Sequence, residues 1–195
     1  MMINTENKVN TSNYVRVISE KKQIILGNSY SYNKEGVLKM VNRDGGNFNK
    51  VPHFTIMKNG EILQHFDIKY YSYYLDNEHS KDVISIAIQN MGLLFENKSG
   101  LMDMYNNTYQ GEVIVRPWKN GNFWEPYTEY QLDAAIFLCK YLLSEANINK
   151  AVVHSNVQKA DVSNFKGICF RSNYDSKHYD ISPAWDFETF KKAIE

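Results

Sequence analysis

Short apolar runs alternate with polar stretches along the chain, and each run has its own period. Residues 23–26 form a short apolar run entering a Gly27-Asn28-Ser29 turn, the pattern of a buried strand that delivers a loop. Over residues 34–42, Val37, Leu38 and Val41 recur at helical spacing, and Gly45-Gly46 stops the helix. Residues 53–57 and 61–66 read as two strands joined by Lys58-Asn59-Gly60, because Asn-Gly tolerates the positive φ angles of a tight hairpin turn. Val83–Ile88 is β-branched and apolar, which suits a central strand. Residues 112–115 read as another strand, closed by Pro117.

Residues 128–146 carry the strongest helical pattern. Thr128 and Gln131 make a capping box ahead of a stripe of Leu132, Ala135, Ile136, Cys139 and Leu143. Residues 151–153 read as a short strand that delivers His154, and residues 166–171 as one more strand. Residues 186–194 close the chain as a helix with Phe187, Phe190 and Ile194 inward. Strands and helices interleave, so the expected class is α/β or α+β, a mixed central β-sheet flanked by helices.

Composition narrows the function classes. The 195 residues suit one domain, with residues 1–12 a polar, flexible tail and residues 13–195 the folded unit. Hydrophobic residues at 43% and aromatics at 14% exclude wholesale disorder. Lys plus Arg equals Asp plus Glu at 22 each, which argues against a nucleic-acid partner gripped through phosphates. The longest apolar runs, such as residues 134–139, are too short to span a membrane, so no membrane partner is expected. Residues 1–12 lack the apolar stretch of a signal peptide, so export is not expected. Cys139 and Cys169 read as small buried thiols in a reducing compartment.

No Gly-rich phosphate loop, Gly-x-Ser-x-Gly elbow or HExxH motif is present. His53 and His65 sit in the hairpin strands and read as hydrogen-bonded sheet histidines, with a facing pair as the functional alternative. His79 lies in the charged run Asp76-Asn77-Glu78-His79 and reads as solvated. His154 ends an apolar strand where a loop begins, a place where sheets present ligands and catalytic groups. With Asp180 it would supply two of three protein positions of a catalytic zinc site. The plainer reading of the pair is a His–Asp hydrogen bond or simple solvation.

The order of these pieces resembles the zinc-dependent N-acetylmuramoyl-L-alanine amidase family, which includes phage lysozyme-type amidases and shares its fold with peptidoglycan recognition proteins. The likeness rests on the first strand, the hairpin HFTIMKNGEILQHF, the strand ISIAIQNMG, the helix YTEYQLDAAIFLCKYLL, the segment AVVHSNV and the tail DISPAWDFETFKKAI. It spans roughly residues 20 to 195.

The resemblance implies specific roles. The family's first zinc ligand falls on Gly27, with Asn28 next to it on the substrate side. The second falls on His154 and the third on Asp180. The acid/base glutamate at the end of the central strand becomes Gln89, which exchanges no proton near neutral pH. A family lysine before the third ligand falls on His178, with Lys177 adjacent, and His178 is also the alternative third ligand or base. A substrate-side histidine falls near Tyr73 or Tyr74. The expected partner is peptidoglycan or a muropeptide, and the expected cofactor is zinc, held weakly. Tyr73, Tyr74 and Trp124 would belong to an aromatic groove that holds sugar or peptide. Two readings stay open: a divergent amidase, or a non-catalytic binding or virion and host-interaction protein on the same fold. The resemblance places it in the cytoplasm of an infected host or in a virion.

Overall fold

The structure, a computed structural model, describes residues 1–75, 78–158 and 161–195, and of Val41 the backbone alone. The expected charged loop at Asp76-Asn77 and the inward helix position of Val41 lie outside the described residues.

A six-stranded sheet carries the fold. Its strands are β1 (Ile3–Asn4), β2 (Gln23–Asn28), β3 (Phe54–Ile56), β4 (Ile62–Gln64), β5 (Val83–Ile88) and, late in the chain, β10 (Gly167–Phe170). Their spatial order is β1-β4-β3-β5-β2-β10. Only the β3–β4 hairpin is antiparallel; the other neighbours run parallel. β2 and β5 are buried along their whole length, which is why their sequences are continuous apolar runs rather than alternating ones. The expected Gly27-Asn28 turn is instead strand: Gly27 pairs with Ala87 and Asn28 with Ile88, because β5 continues to Ile88 and gives both residues a ladder partner. The hairpin forms as its sequence predicts, with Gly60 at φ 82° closing the turn.

Helix α1 (Lys34–Leu38) is shorter than its apolar spacing predicts and passes into 3-10 turns through Gly46. Helix α2 (Glu129–Glu145) has the expected capping box, with the Thr128 hydroxyl accepting from Gln131 N–H at 3.1 Å and Gln131 Oε1 accepting from Thr128 N–H at 3.0 Å. Its buried stripe runs through Ala134, Ala135, Leu138, Cys139, Leu142 and Leu143, so Leu132 and Ile136 sit at the margin. After the one-turn α3 (Arg171–Tyr174), α4 (Phe187–Ile194) packs against α2 and buries Phe190 and Ile194 in the main core. Residues 151–153 contribute one bridge, Val152 to Ile168, rather than a strand. Residues 1–12, expected as a tail, place Ile3–Asn4 beside β4, and Val9 N–H donates to His65 O at 3.1 Å.

A second, antiparallel sheet is the part the apolar pattern missed. It orders β7 (Gly100–Met102), β6 (Leu93–Asn97), β9 (Gly121–Trp124) and β8 (Ile114–Trp118). β8 runs through Pro117 instead of stopping before it, because an edge strand with a bulge between Val115 and Trp118 needs no N–H there.

Candidate functional site

The carboxyl ends of β2, β5 and β10 open on one edge of the main sheet, where parallel sheets form crevices. β2 ends there with Gly27-Asn28, and β10 hands over to Arg171 at the start of α3. Asp180 comes in from the later tail and is fully buried. Its Oδ2 accepts from Asn28 N–H at 2.8 Å and lies 3.9 Å from Arg171 Nη1. His178 Nδ1 is 3.8 Å from Asp180 Oδ1, an oxygen with no hydrogen bond. A buried carboxylate needs such a cation, and here the guanidinium supplies it.

Tyr74 closes this cluster. Its ring lies under the Arg171 guanidinium, 5.1 Å from Cζ to the ring centroid. Its hydroxyl is buried without a hydrogen bond. Burial, with Asp180 nearby, pushes that hydroxyl's pKa well up, so it stays protonated. A Cβ added to Gly27 would meet Tyr74 Oη at 2.5 Å, Asp180 Oδ2 at 2.7 Å and Arg171 Cδ at 3.3 Å. The glycine is therefore what lets these three side chains converge over β2.

Two other expected positions are held by structure. Gln89, just past β5, is buried; its Oε1 accepts from Lys58 N–H at 2.9 Å, and its backbone oxygen accepts from Gln131 Nε2 at 2.7 Å. It ties the hairpin to the start of α2. Trp124 is fully buried, donates through Nε1 to Arg116 O at 2.7 Å, and packs against Trp118 and Tyr179, so its ring offers no face to a sugar.

Lys177 is exposed on the loop before Asp180. Tyr73 is exposed and packs edge-on against Tyr71, whereas its neighbour Tyr74 faces the site. His154 is exposed, and the basic side chains within 4 Å of Asp180 among the described residues are Arg171 and His178. Asn28, His178 and Asp180 are thus brought together with Tyr74; His154, Lys177, Tyr73, Gln89 and Trp124 are not part of that contact set.

His53 and His65 are buried sheet histidines. The His53 Nδ1 accepts from Ser85 N–H at 3.0 Å, and its Nε2 faces Tyr70 O at 3.0 Å. The His65 Nε2 is 2.9 Å from Thr55 Oγ1. Burial lowers their pKa values to about 3 and about 4. Both rings are therefore neutral at physiological pH.

A cavity of about 150 Å³ lies beside Arg171 and Tyr74, and Arg43 and Lys50 also line it. Past Arg43, Tyr30 and Gly36 the depression widens toward the exposed rings of Tyr32 and Tyr105, whose centroids are 6.2 Å apart. Beyond them a third depression is lined by Ser31, Asn107 and the Lys58–Glu125 ion pair. Sequence reading missed Arg43, Lys50, Arg171 and the two tyrosines. Arg171 carries a usable signal, because it follows the apolar run of residues 167–170 as His154 follows residues 151–153.

Comparison with known proteins decides the family. The family model for N-acetylmuramoyl-L-alanine amidase matches residues 17–167, most of the chain. The chain belongs to the N-acetylmuramoyl-L-alanine amidase family. Solved structures agree on the fold. LysC, an N-acetylmuramoyl-L-alanine amidase from Clostridium intestinale URNW, is 13% identical with a TM-score of 0.57, over 98% of this chain and 96% of that one. A mutant endolysin from Bacillus subtilis is 16% identical with a TM-score of 0.60, over 100% and 99%. The catalytic domain of XlyA is 15% identical with a TM-score of 0.58, over the full length of both chains. No curated protein matches the chain in sequence.

The family's zinc can now be tested against these side chains. Gly27 has no donor atom, and the space a ligand would need there is filled by Tyr74, Asp180 and Arg171. Asn28 spends its amide oxygen on Tyr127 Oη at 2.8 Å. Asp180 Oδ2 already faces a guanidinium, which repels a divalent cation at that oxygen. Among the described residues no group of three His, Cys, Asp or Glu is placed to hold a metal. The residues present do not fit the family's zinc.

Proposed function

We propose that this amidase-family chain is a peptidoglycan-binding protein that recognises muropeptide in the groove at the carboxyl edge of its main sheet and does not hydrolyse it. The observation that carries this reading is the Tyr74–Asp180–Arg171 cluster packed over Gly27. Hydrolysis in this family needs a zinc-activated water and a group that takes its proton. Gln89, at the acid/base position, is an amide committed to Lys58 N–H and has no proton to exchange. Binding needs less. A groove with cations at one end and the exposed Tyr32 and Tyr105 rings further along supplies charge complementarity and an apolar shelf for a sugar face.

The likeness to endolysins supports a phage setting, in the infected host or in the particle. Among the described residues no helix is long and apolar enough to cross a membrane.

The test pairs two assays on the full chain. Purified cell walls are incubated with the protein and assayed for released muropeptide, and soluble muropeptide is titrated by calorimetry. Saturable binding without turnover is expected. Turnover that disappears in His154→Ala, or failure to bind at all, would overturn the proposal.

A further inference from the structure

Helix α2 buries one face and leaves rings on the other. Ala134, Ala135, Leu138, Cys139, Leu142 and Leu143 face the core. Tyr130, Phe137 and Tyr141 lie on the outer side and are 66%, 37% and 44% exposed. A helix that is apolar on both faces belongs between two layers. None of these three rings lines the depressions of the groove.

The charges on the same face say what covers it. Tyr130, Asp133, Phe137, Lys140 and Ser144 follow one another in steps of three and four, the seam along which two helices pack. Asp133 and Lys140 are both exposed. Among the described residues neither side chain makes a hydrogen bond or an ion pair. Seven residues apart, they are separated by about 10 Å of helix rise, too far to pair with each other. Asp133 also stands four residues after Glu129, a like charge on a neighbouring turn.

A second copy of α2 laid antiparallel supplies the missing partners. With Phe137 against Phe137 on the twofold axis, Asp133 lies four residues before the axis and Lys140 three after it, on the same flank of the seam. Asp133 of each copy then comes level with Lys140 of the other, to within one residue's rise. Laid parallel, the helices would set Asp133 against Asp133 and Lys140 against Lys140. The order of charges therefore selects the antiparallel pair.

We infer that the outer face of α2 is the interface of a twofold homodimer, with Phe137 on the axis, Tyr130 and Tyr141 beside it and two Asp133–Lys140 ion pairs across it. One helix face is a small area for an interface, so the dimer dissociates at about 10–100 µM. The inference stands apart from the peptidoglycan reading, because the groove takes no part in it.

Sedimentation velocity of the full chain, from about 5 to 500 µM, reads the association. Phe137→Glu, at an exposed position, is expected to weaken it about tenfold or more, and its melting curve verifies folding. Asp133→Lys and Lys140→Asp each set like charges across the axis, so each alone is expected to weaken self-association about tenfold. Mixed in equal amounts, the two single variants are expected to recombine as a heterodimer, since one chain is then basic at both positions and the other acidic at both. A change of fold could not produce that recovery. A monomer throughout the concentration range, a dimer indifferent to Phe137→Glu, or single variants that do not recombine would overturn the interface. A monomeric chain that binds muropeptide overturns the dimer and leaves the peptidoglycan reading standing, whereas a dimer that binds no muropeptide supports the interface and overturns that reading.

Discussion

Adding one methyl group at Gly27 tests the packing argument directly. In Gly27→Ala the new Cβ falls 2.5 Å from Tyr74 Oη and 2.7 Å from Asp180 Oδ2. Both side chains are buried, and Asp180 is held by Asn28 N–H, so neither withdraws freely. Overpacking of this kind costs about 1–3 kcal/mol. For a chain of this size each kcal/mol lowers the melting temperature by about 2–4 °C, so the expected drop is about 2–12 °C. Calorimetry or circular-dichroism melts read it. Tyr74→Phe removes the closer of the two contacts and a hydroxyl without a partner, so the double variant loses less than the sum of the single effects. If Gly27→Ala melts with the wild type, the space over β2 is open to a side chain. The claim that this family position is plugged would then fail.

Stability falls on acidification for a reason visible in the hairpin. The folded pKa values of His53 and His65 are about 3 and about 4, below the unfolded value of about 6.5. The unfolded chain takes up those protons first. The contribution is thus complete above about pH 6.5 and is lost as pH falls toward the folded values. By pH 5 the loss is about 2 kcal/mol per ring, and urea titrations at pH 7 and 5 that give equal stability would refute it. Gln131→Ala breaks the capping box and the bond to Gln89 O, at a cost of about 1–3 kcal/mol by chemical denaturation. Lys58→Met leaves the buried Glu125 with the Met91 N–H and the Tyr109 hydroxyl as its remaining donors, and about 2 kcal/mol of destabilisation is expected; no change would show that the ion pair is idle. Zinc added to the chelator-treated chain leaves its melting temperature where it was, because a site that does not bind the metal gains no linkage stabilisation.

The main sheet was legible because burial on both faces writes itself as uninterrupted Ile and Val in β2 and β5. The hairpin and α2 were legible because Asn59-Gly60 and Thr128-Gln131 are local devices whose partners sit within a few residues. The second sheet was not, since β6 and β8 each bury little and read as polar segments. A local signal is nonetheless present: Lys119-Asn120-Gly121 repeats the Lys58-Asn59-Gly60 turn, and it joins β8 to β9. The candidate site divides the same way. Asp180 and Asn28 could be placed by chain order, but the arrival of Arg171 and Tyr74 over Gly27 depends on packing between segments far apart in sequence. Arg43 and Lys50 were opaque for the same reason, because charged residues in a loop show their direction only once the loop is folded.

The central claim is that side chains of this chain have replaced the family's metal, and metal content tests it most directly. The full chain is purified without chelator, dialysed against a modest excess of zinc, and analysed for bound metal beside His154→Ala. No stoichiometric zinc is expected in either protein. One zinc per chain in the wild type, lost in His154→Ala, would contradict it and return the chain to the zinc-dependent amidases.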